Sequence, residues 1–191
     1  MTMTRTSEEL LIRHCSPTLA GLKTGNIFTC AVEDRETLYR DLRELNRMLS
    51  PKGLRILPLR HSAEKAMLYL FRPVRLASDL EDPRARRILD SCGYCTDTVN
   101  GCLIQMMQRM RRLEGNRSFP HEIGLFLGYP PEDVRGFIEN GAEGCKFAGC
   151  WKVYDDEERA RKIFDRFRKC TRVYTRQLTC GKPLDRLAVS V

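Results

Sequence analysis

Residues 54–71, LRILPLRHSAEKAMLYLF, contain two short apolar runs separated by a polar stretch. The runs Leu54–Leu59 and Ala66–Phe71 have the length and the apolar content of strands, and residues 60–65 suit a hairpin loop. A third run, Ile27–Val32 (IFTCAV), has the same character. These three runs predict a small antiparallel sheet of about three strands in the N-terminal half.

Apolar residues at helical spacing occupy most of the remaining chain. Four leucines recur within residues 35–49 and predict a helix there. After Pro73 the pattern stays helical, with two long apolar stripes: Val99, Cys102, Leu103, Met106, Met110 and Leu113, then Ala160, Ile163, Phe164, Phe167, Cys170 and Tyr174. We therefore predict an α+β fold in which the sheet packs against helices and the C-terminal half is helical. At 191 residues, we expect a single domain over 1–191, with an α/β part at about 1–75 and a helical part at about 76–191.

The composition indicates a protein of the cytoplasm. Nine cysteines, an odd number, are scattered along a chain that is long enough to bury its own core, so reduced thiols are expected rather than a disulfide framework. No apolar run approaches the roughly 18 residues of a membrane-spanning helix. The amino terminus turns acidic where an export signal would be apolar, so we expect neither export nor membrane insertion.

The net charge of +8 raises the question of nucleic-acid binding. Basic residues are interleaved with acidic ones, as in residues 155–169 (DDEERARKIFDRFRK), and such mixing is typical of a solvated helix face. The densest basic pieces, residues 84–87 and 109–112, are short. We therefore do not expect nucleic acid to be a partner.

The stretch His14–Asn26, HCSPTLAGLKTGN, contains the first candidate site. We predict that a first helix, Ser7–His14, stops before Pro17 and that a second begins with Ser16 as its N-cap. Cys15 would then lie beside free backbone N–H groups, which favour a thiolate that acts as nucleophile or soft metal ligand. His14 is a candidate base. The alternative is an ordinary buried thiol beside a surface imidazole.

Residues 119–141, FPHEIGLFLGYPPEDVRGFIENG, contain the second candidate site. Two short helices separated by Gly128 are predicted, at a spacing that DNA-binding helix-turn-helix motifs also use. The second helix opens with prolines followed by Glu132 and Asp133, where DNA contacts would require positive charge, so a packed helical hairpin is favoured. His121 and Glu122 are candidates for acid, base or ligand.

Several cysteines have spacings that a metal site can use. Cys92 and Cys95 form a CxxC, and Cys145 and Cys150 a Cx4C, which together could supply four thiolates to zinc or an iron–sulfur cluster. The alternative is that they are unconnected core and surface thiols. Cys170 lies on an apolar stripe and is expected to be a core thiol.

Many segments of this chain resemble a bacterial domain-of-unknown-function family, family 3793. The matching pieces are HCSPTLAGLKTGNIF, LPLR…LYLFRP, FPHEIGLFLGYPPEDVRGFIEN, WKVY, KCTRVY and GKPLDRL, from near residue 12 to near residue 188. Positions that match the family's characteristic residues are His14, Cys15, Ser16, Pro17, His121, Glu122, Cys170 and Arg172. The resemblance implies that the protein is encoded near flavodoxin-like or iron-uptake genes. That neighbourhood in turn implies a role in redox or iron metabolism.

Two classes of function follow from these observations. The first is a thiol-centred site for redox, iron or haem-related chemistry, in which Cys15, His14, His121 and Glu122 are catalytic, Arg172 and Ser16 bind an anionic substrate, and a metal or haem is held by Cys15, His121 and Cys170. The second is a non-enzymatic binding or regulatory module whose basic surface docks on an acidic redox partner such as flavodoxin. A small-molecule ligand and DNA binding are the remaining alternatives.

Overall fold

The fold was determined as a computed structural model that describes residues 5–32, 34–62, 64–112 and 119–190, with only the backbone given for residues 5–7. The helices in the described part are α1 Arg5–Leu19, α2 Arg35–Leu49, α3 Pro73–Glu81, α4 Pro83–Ser91, α5 Val99–Arg111, α6 Ile123–Phe126, α7 Pro131–Asn140, α8 Glu157–Thr179 and α9 Leu184–Leu187. The strands are β1 Gly25–Ala31, β2 Arg55–His61, β3 Lys65–Phe71, β4 Phe147–Ala148 and β5 Lys152–Val153. The predicted α+β fold is confirmed. Leu113, the last residue of one predicted stripe, lies outside the described residues.

The main sheet has the order β1–β3–β2, and both pairings are antiparallel. Tyr69 of the central strand β3 lies opposite Ile27 of β1 and Leu57 of β2. The register of β2 shifts between Pro58 and Arg60. Since proline cannot donate to a ladder, an edge strand with an irregularity is where it is tolerated. All three predicted strands are confirmed, to within two residues at each end.

Helix α2 forms where the leucine spacing predicted it. Asp34 caps its first turn, because the Asp34 carboxylate accepts a hydrogen bond from the backbone N–H of Thr37 at 2.8 Å. The four leucines at positions 38, 42, 45 and 49 are buried and form its inner face.

The predicted break at Ser16–Pro17 is wrong, because α1 runs without interruption from Arg5 to Leu19 and contains Pro17 near its end. The Ser16 hydroxyl donates to the backbone oxygen of Ile12, one turn earlier, and does not cap a new helix. Only two residues of the helix follow Pro17, so the interior hydrogen bonds that a proline disrupts are few. The turn that ends α1 passes through Gly21, whose φ of +72° requires glycine.

The described chain divides into two compact units. The first combines Met1–Val74 with Phe167–Val191, and the second is Arg75–Arg166. The core of the first unit is formed by one face of the sheet, by α1 and α2, and by the C-terminal residues Leu184, Leu187 and Ala188. Residues 167–191, predicted as part of a helical half, therefore complete the core of the N-terminal part.

The second unit contains a small core beneath the β4–β5 hairpin. Val153, Ala160 and Phe164 form its centre, with Trp151 and Phe147 packed against it. Gly149 lies so close to the Phe164 ring that a Cβ there would be 2.3 Å from it, which is why this position requires glycine.

In the described part of the chain, no helix combines the length and the apolar character needed to cross a membrane.

Candidate functional site

Cys15 lies inside α1 and is fully buried in the core of the first unit. Burial raises the pKa of its thiol far above the ordinary value, and the positive charge of Lys23 lowers it by a smaller amount. A neutral thiol is therefore the dominant form at neutral pH. The expected position before a helix start, which would have lowered this pKa, was wrong because α1 continues past Cys15.

The two neighbours of Cys15 in sequence differ in their exposure. The His14 side chain is exposed, and its ring lies parallel to the ring of Phe28 with 6.1 Å between the centroids. Ser16 is fully buried, with its hydroxyl bonded within α1. Adjacent residues on a helix point in different directions, which separates the imidazole of His14 from the thiol of Cys15.

Glu122 belongs to the second unit, where it is buried in a polar cluster. The Glu122 carboxylate accepts hydrogen bonds from the hydroxyl of Tyr94 at 3.1 Å and from Nη1 of Arg109 at 3.2 Å. The Arg109 guanidinium also lies over the Tyr94 ring, 4.2 Å from its centroid, and donates to the backbone oxygen of Cys92 at 2.6 Å. Glu122 therefore joins α5 to the residues before α6 through an ion pair.

His121 is exposed, and its ring meets Phe137 of α7 edge to face at 4.7 Å. The two helices on either side of Gly128 form the predicted packed hairpin: Gly124 of α6 is so close to Val134 of α7 that a Cβ would lie 2.8 Å from a Val134 methyl.

The cysteines are all free thiols. Among the described residues, no group of three or more His, Cys, Asp or Glu side chains has an arrangement that can hold a metal ion. Cys92 is half-buried and Cys95 is exposed. Cys170 is buried on the inner face of α8, and burial raises the pKa of its thiol to about 11.

Arg172, the predicted anion-binding residue, lies on an exposed face of α8 in the first unit. This face, which we call the α8 basic face, consists of Lys169, Arg172, Val173 and Arg176, at positions i, i+3, i+4 and i+7. That spacing places the four side chains together on one side of a helix. Val173 is 43% exposed at its centre.

The three cations of the α8 basic face have no ion-pair partner among the described residues. Earlier in α8 the situation differs: Arg161 pairs with Glu157 at 2.7 Å, and Lys162 with Glu158 at 2.6 Å. Asp165, four residues before Lys169, is the nearest acidic residue, and none follows it in α8, so the face carries a net positive charge.

The sequence contains a signal for this face that was not used in the prediction. Residues 166–184, RFRKCTRVYTRQLTCGKPL, include six Lys or Arg and no Asp or Glu, against a net charge of +8 for the whole chain. The interleaving seen in residues 155–165 ends at Asp165, so a charge count in a moving window would have found the change.

Arg72, which follows β3, was also missed, and it fixes the segment that follows α8. Its guanidinium is buried and donates to the backbone oxygens of Thr18, Leu19, Lys52 and Val189 at 2.8–3.1 Å. Lys52 in turn donates from Nζ to the backbone oxygen of Ala188 at 2.9 Å. These bonds hold the C-terminal segment against the first unit and so fix the end of α8 within that unit.

Comparison with known proteins identifies one match. Residues 11–188 match a family model described as "Protein of unknown function (DUF3793)". No curated protein and no solved structure matches the chain.

Proposed function

We propose that this chain, which belongs to the DUF3793 family of proteins of unknown function, is a non-enzymatic binding module that docks on an acidic protein partner. The α8 basic face is the docking surface, and an acidic redox protein such as a flavodoxin is the partner. The observation that carries the proposal is the exposed row of Lys169, Arg172 and Arg176 without acidic partners among the described residues.

The arrangement of these cations opposes the stability of the helix. Lys169 and Arg172 are three residues apart, and Arg172 and Arg176 are four apart, so the like charges are direct neighbours on the helix surface. Each such pair destabilises a helix by about 0.2–0.5 kcal/mol. A surface that lowers stability and has no internal partner is best explained by an external one.

The dimensions of the face favour a protein partner over duplex DNA. Seven residues of helix separate Lys169 from Arg176, which is about 10 Å at 1.5 Å per residue. Three cations can neutralise about three phosphates. DNA-binding proteins with a strong salt dependence make about 6–10 phosphate contacts. Val173 supplies an apolar centre with arginine on its rim, a combination that is enriched in protein–protein interfaces.

The burial of Cys15 favours the binding proposal over a thiol-centred one. That hypothesis required a thiolate near neutral pH, whereas desolvation favours the neutral thiol. The binding hypothesis requires no reactive thiol. A cytoplasmic location is part of the proposal, because nine free thiols suit a reducing compartment.

The experiment measures binding of the purified chain to a purified FMN-loaded flavodoxin by titration calorimetry. We expect saturable binding that weakens at least about tenfold when NaCl is raised from about 20 mM to about 200 mM, because rim charges act through a screened field. Replacing Lys169, Arg172 and Arg176 together by Gln should weaken binding about tenfold or more at low salt.

The matched control replaces three exposed arginines of α2, at positions 40, 43 and 47, by Gln and so removes the same charge. If this control loses as much affinity as the α8 variant, binding depends on net charge and the α8 basic face is not the docking surface. Absence of flavodoxin binding combined with tight, salt-dependent binding to a duplex DNA probe would replace the proposal by a nucleic-acid function.

A further inference from the structure

A groove of about 230 Å³ lies between α4 and α7 in the second unit. Its lining includes two aliphatic side chains, Ile88 of α4 and Ile138 of α7. Ile88 is buried, whereas Ile138 is 39% exposed. An exposed aliphatic side chain in a groove offers a contact for an apolar group.

An ion-pair network contributes Arg84 and Glu132 to the lining of the groove. Arg84 is 2.6 Å from the carboxylate of Asp82 and 2.6 Å from that of Glu132, so these three side chains satisfy one another. The pair between Arg84 and Glu132 links α4 to α7.

The two remaining arginines that line the groove are available to a ligand. Arg87 and Arg135, one from each helix, are exposed, and neither has an ion-pair partner among the described residues. Arg87 donates Nε to the backbone oxygen of Pro83 at 3.2 Å, which orients its guanidinium along α4. Glu139, four residues after Arg135 on α7, is the one acidic lining group outside the Arg84 network. The lining therefore has three arginines against two glutamates, and this net positive charge favours an anionic ligand.

The size of the groove restricts the class of ligand. Pockets that bury a drug-sized ligand measure about 300–1,000 Å³, so this groove is too small for a large cofactor. It suits one aliphatic side chain, with carboxylates on either side to meet the two arginines. We infer that the α4–α7 groove binds an acidic peptide segment of a partner protein that carries a single leucine-like anchor residue.

The groove belongs to the second unit, and its binding does not depend on the α8 basic face of the first. The probe is a fluorescein-labelled peptide, Asp-Glu-Leu-Asp-Glu, measured by fluorescence anisotropy. Replacing its Leu by Ser should weaken binding about fivefold or more, because loss of the anchor leaves the exposed Ile138 side chain uncovered. Amide resonances of Ile88 and Ile138 should shift on titration and so locate the peptide.

Variants of the protein test the arginines. Arg135→Gln should weaken peptide binding about fivefold or more, whereas Arg86→Gln, which removes the same charge from a side of α4 that does not line the groove, should weaken it less than about twofold. Thermal melts of both variants establish that each is folded.

Three results would overturn the inference. If binding does not saturate up to about 1 mM peptide, the groove is not a specific site for this peptide. Equal losses in Arg135→Gln and Arg86→Gln would show attraction by net charge alone. If octanoate binds more tightly than the peptide, displaces it and shifts the same resonances, the groove is a site for a small amphipathic acid.

Discussion

Replacing Arg172 by Glu should stabilise the protein and abolish docking at the same time. In the wild type, Arg172 has Arg168 four residues before it, Lys169 three residues before it and Arg176 four residues after it, so it takes part in three repulsive pairs. Glu at this position converts all three pairs into attractive ones. Functional surfaces that are not optimised for stability behave in this way.

The size of the effect follows from helix-pair energies. Each repulsive pair destabilises by about 0.2–0.5 kcal/mol, and each attractive pair stabilises by a similar amount, so reversal of three pairs gives at most about 3 kcal/mol. Exposure and salt screening reduce this to about 0.5–1 kcal/mol. For a chain of this length, that corresponds to a rise in Tm of about 1–4 °C.

The measurement is a thermal melt followed by circular dichroism, with docking to flavodoxin titrated in parallel. The rise in Tm should be larger at about 20 mM than at about 200 mM NaCl, because it is electrostatic. The control is Arg47→Glu, an equal charge change on an exposed position of α2. A fall in Tm at low salt would mean that Arg172 has a structural partner. A rise in Tm with unchanged docking would mean that the α8 basic face is not the docking surface.

Three further predictions concern buried groups. Arg72→Met should lower the free energy of unfolding, measured by urea denaturation, by at least about 3 kcal/mol, because four backbone oxygens lose their donor. A loss below about 1 kcal/mol would contradict the role of Arg72 as an anchor. In the native protein near neutral pH, iodoacetamide should alkylate exposed Cys95 well before Cys15, with mass spectrometry as the readout, and equal rates would contradict the burial of Cys15. The pKa of Cys15 is higher in the folded than in the unfolded chain, so its thiol ionises first in the unfolded state. The free energy of unfolding should therefore fall as pH rises above about 9, by up to about 1.4 kcal/mol per pH unit. Cys15→Ala should show a shallower fall in the same denaturation series, and an identical slope would contradict this assignment.

Much of the fold was predictable because local patterns determine it. The leucine spacing of α2 and the three apolar strands each depend on residues close in sequence, and all were confirmed. The α6–α7 hairpin was likewise predicted from two short amphipathic stretches separated by Gly128.

The candidate site was less predictable, because it depends on tertiary contacts. Nothing local distinguishes a proline that breaks a helix from one that lies near its end, and α1 continues because its inner face, including Cys15 and Leu19, is buried in the core. The position of Arg172 in the α8 basic face follows from helical spacing, but the exposure of that face is a property of the folded unit.

The buried residues Leu184, Leu187 and Ala188 have a consequence for the order in which the protein is made. They belong to the same core as Leu11 and Leu68, although more than a hundred residues are translated between the two sets. The sheet can pack against α1 and α2 as soon as these segments are synthesised, but the part of the core that Leu184, Leu187 and Ala188 cover is completed only after the second unit has been synthesised.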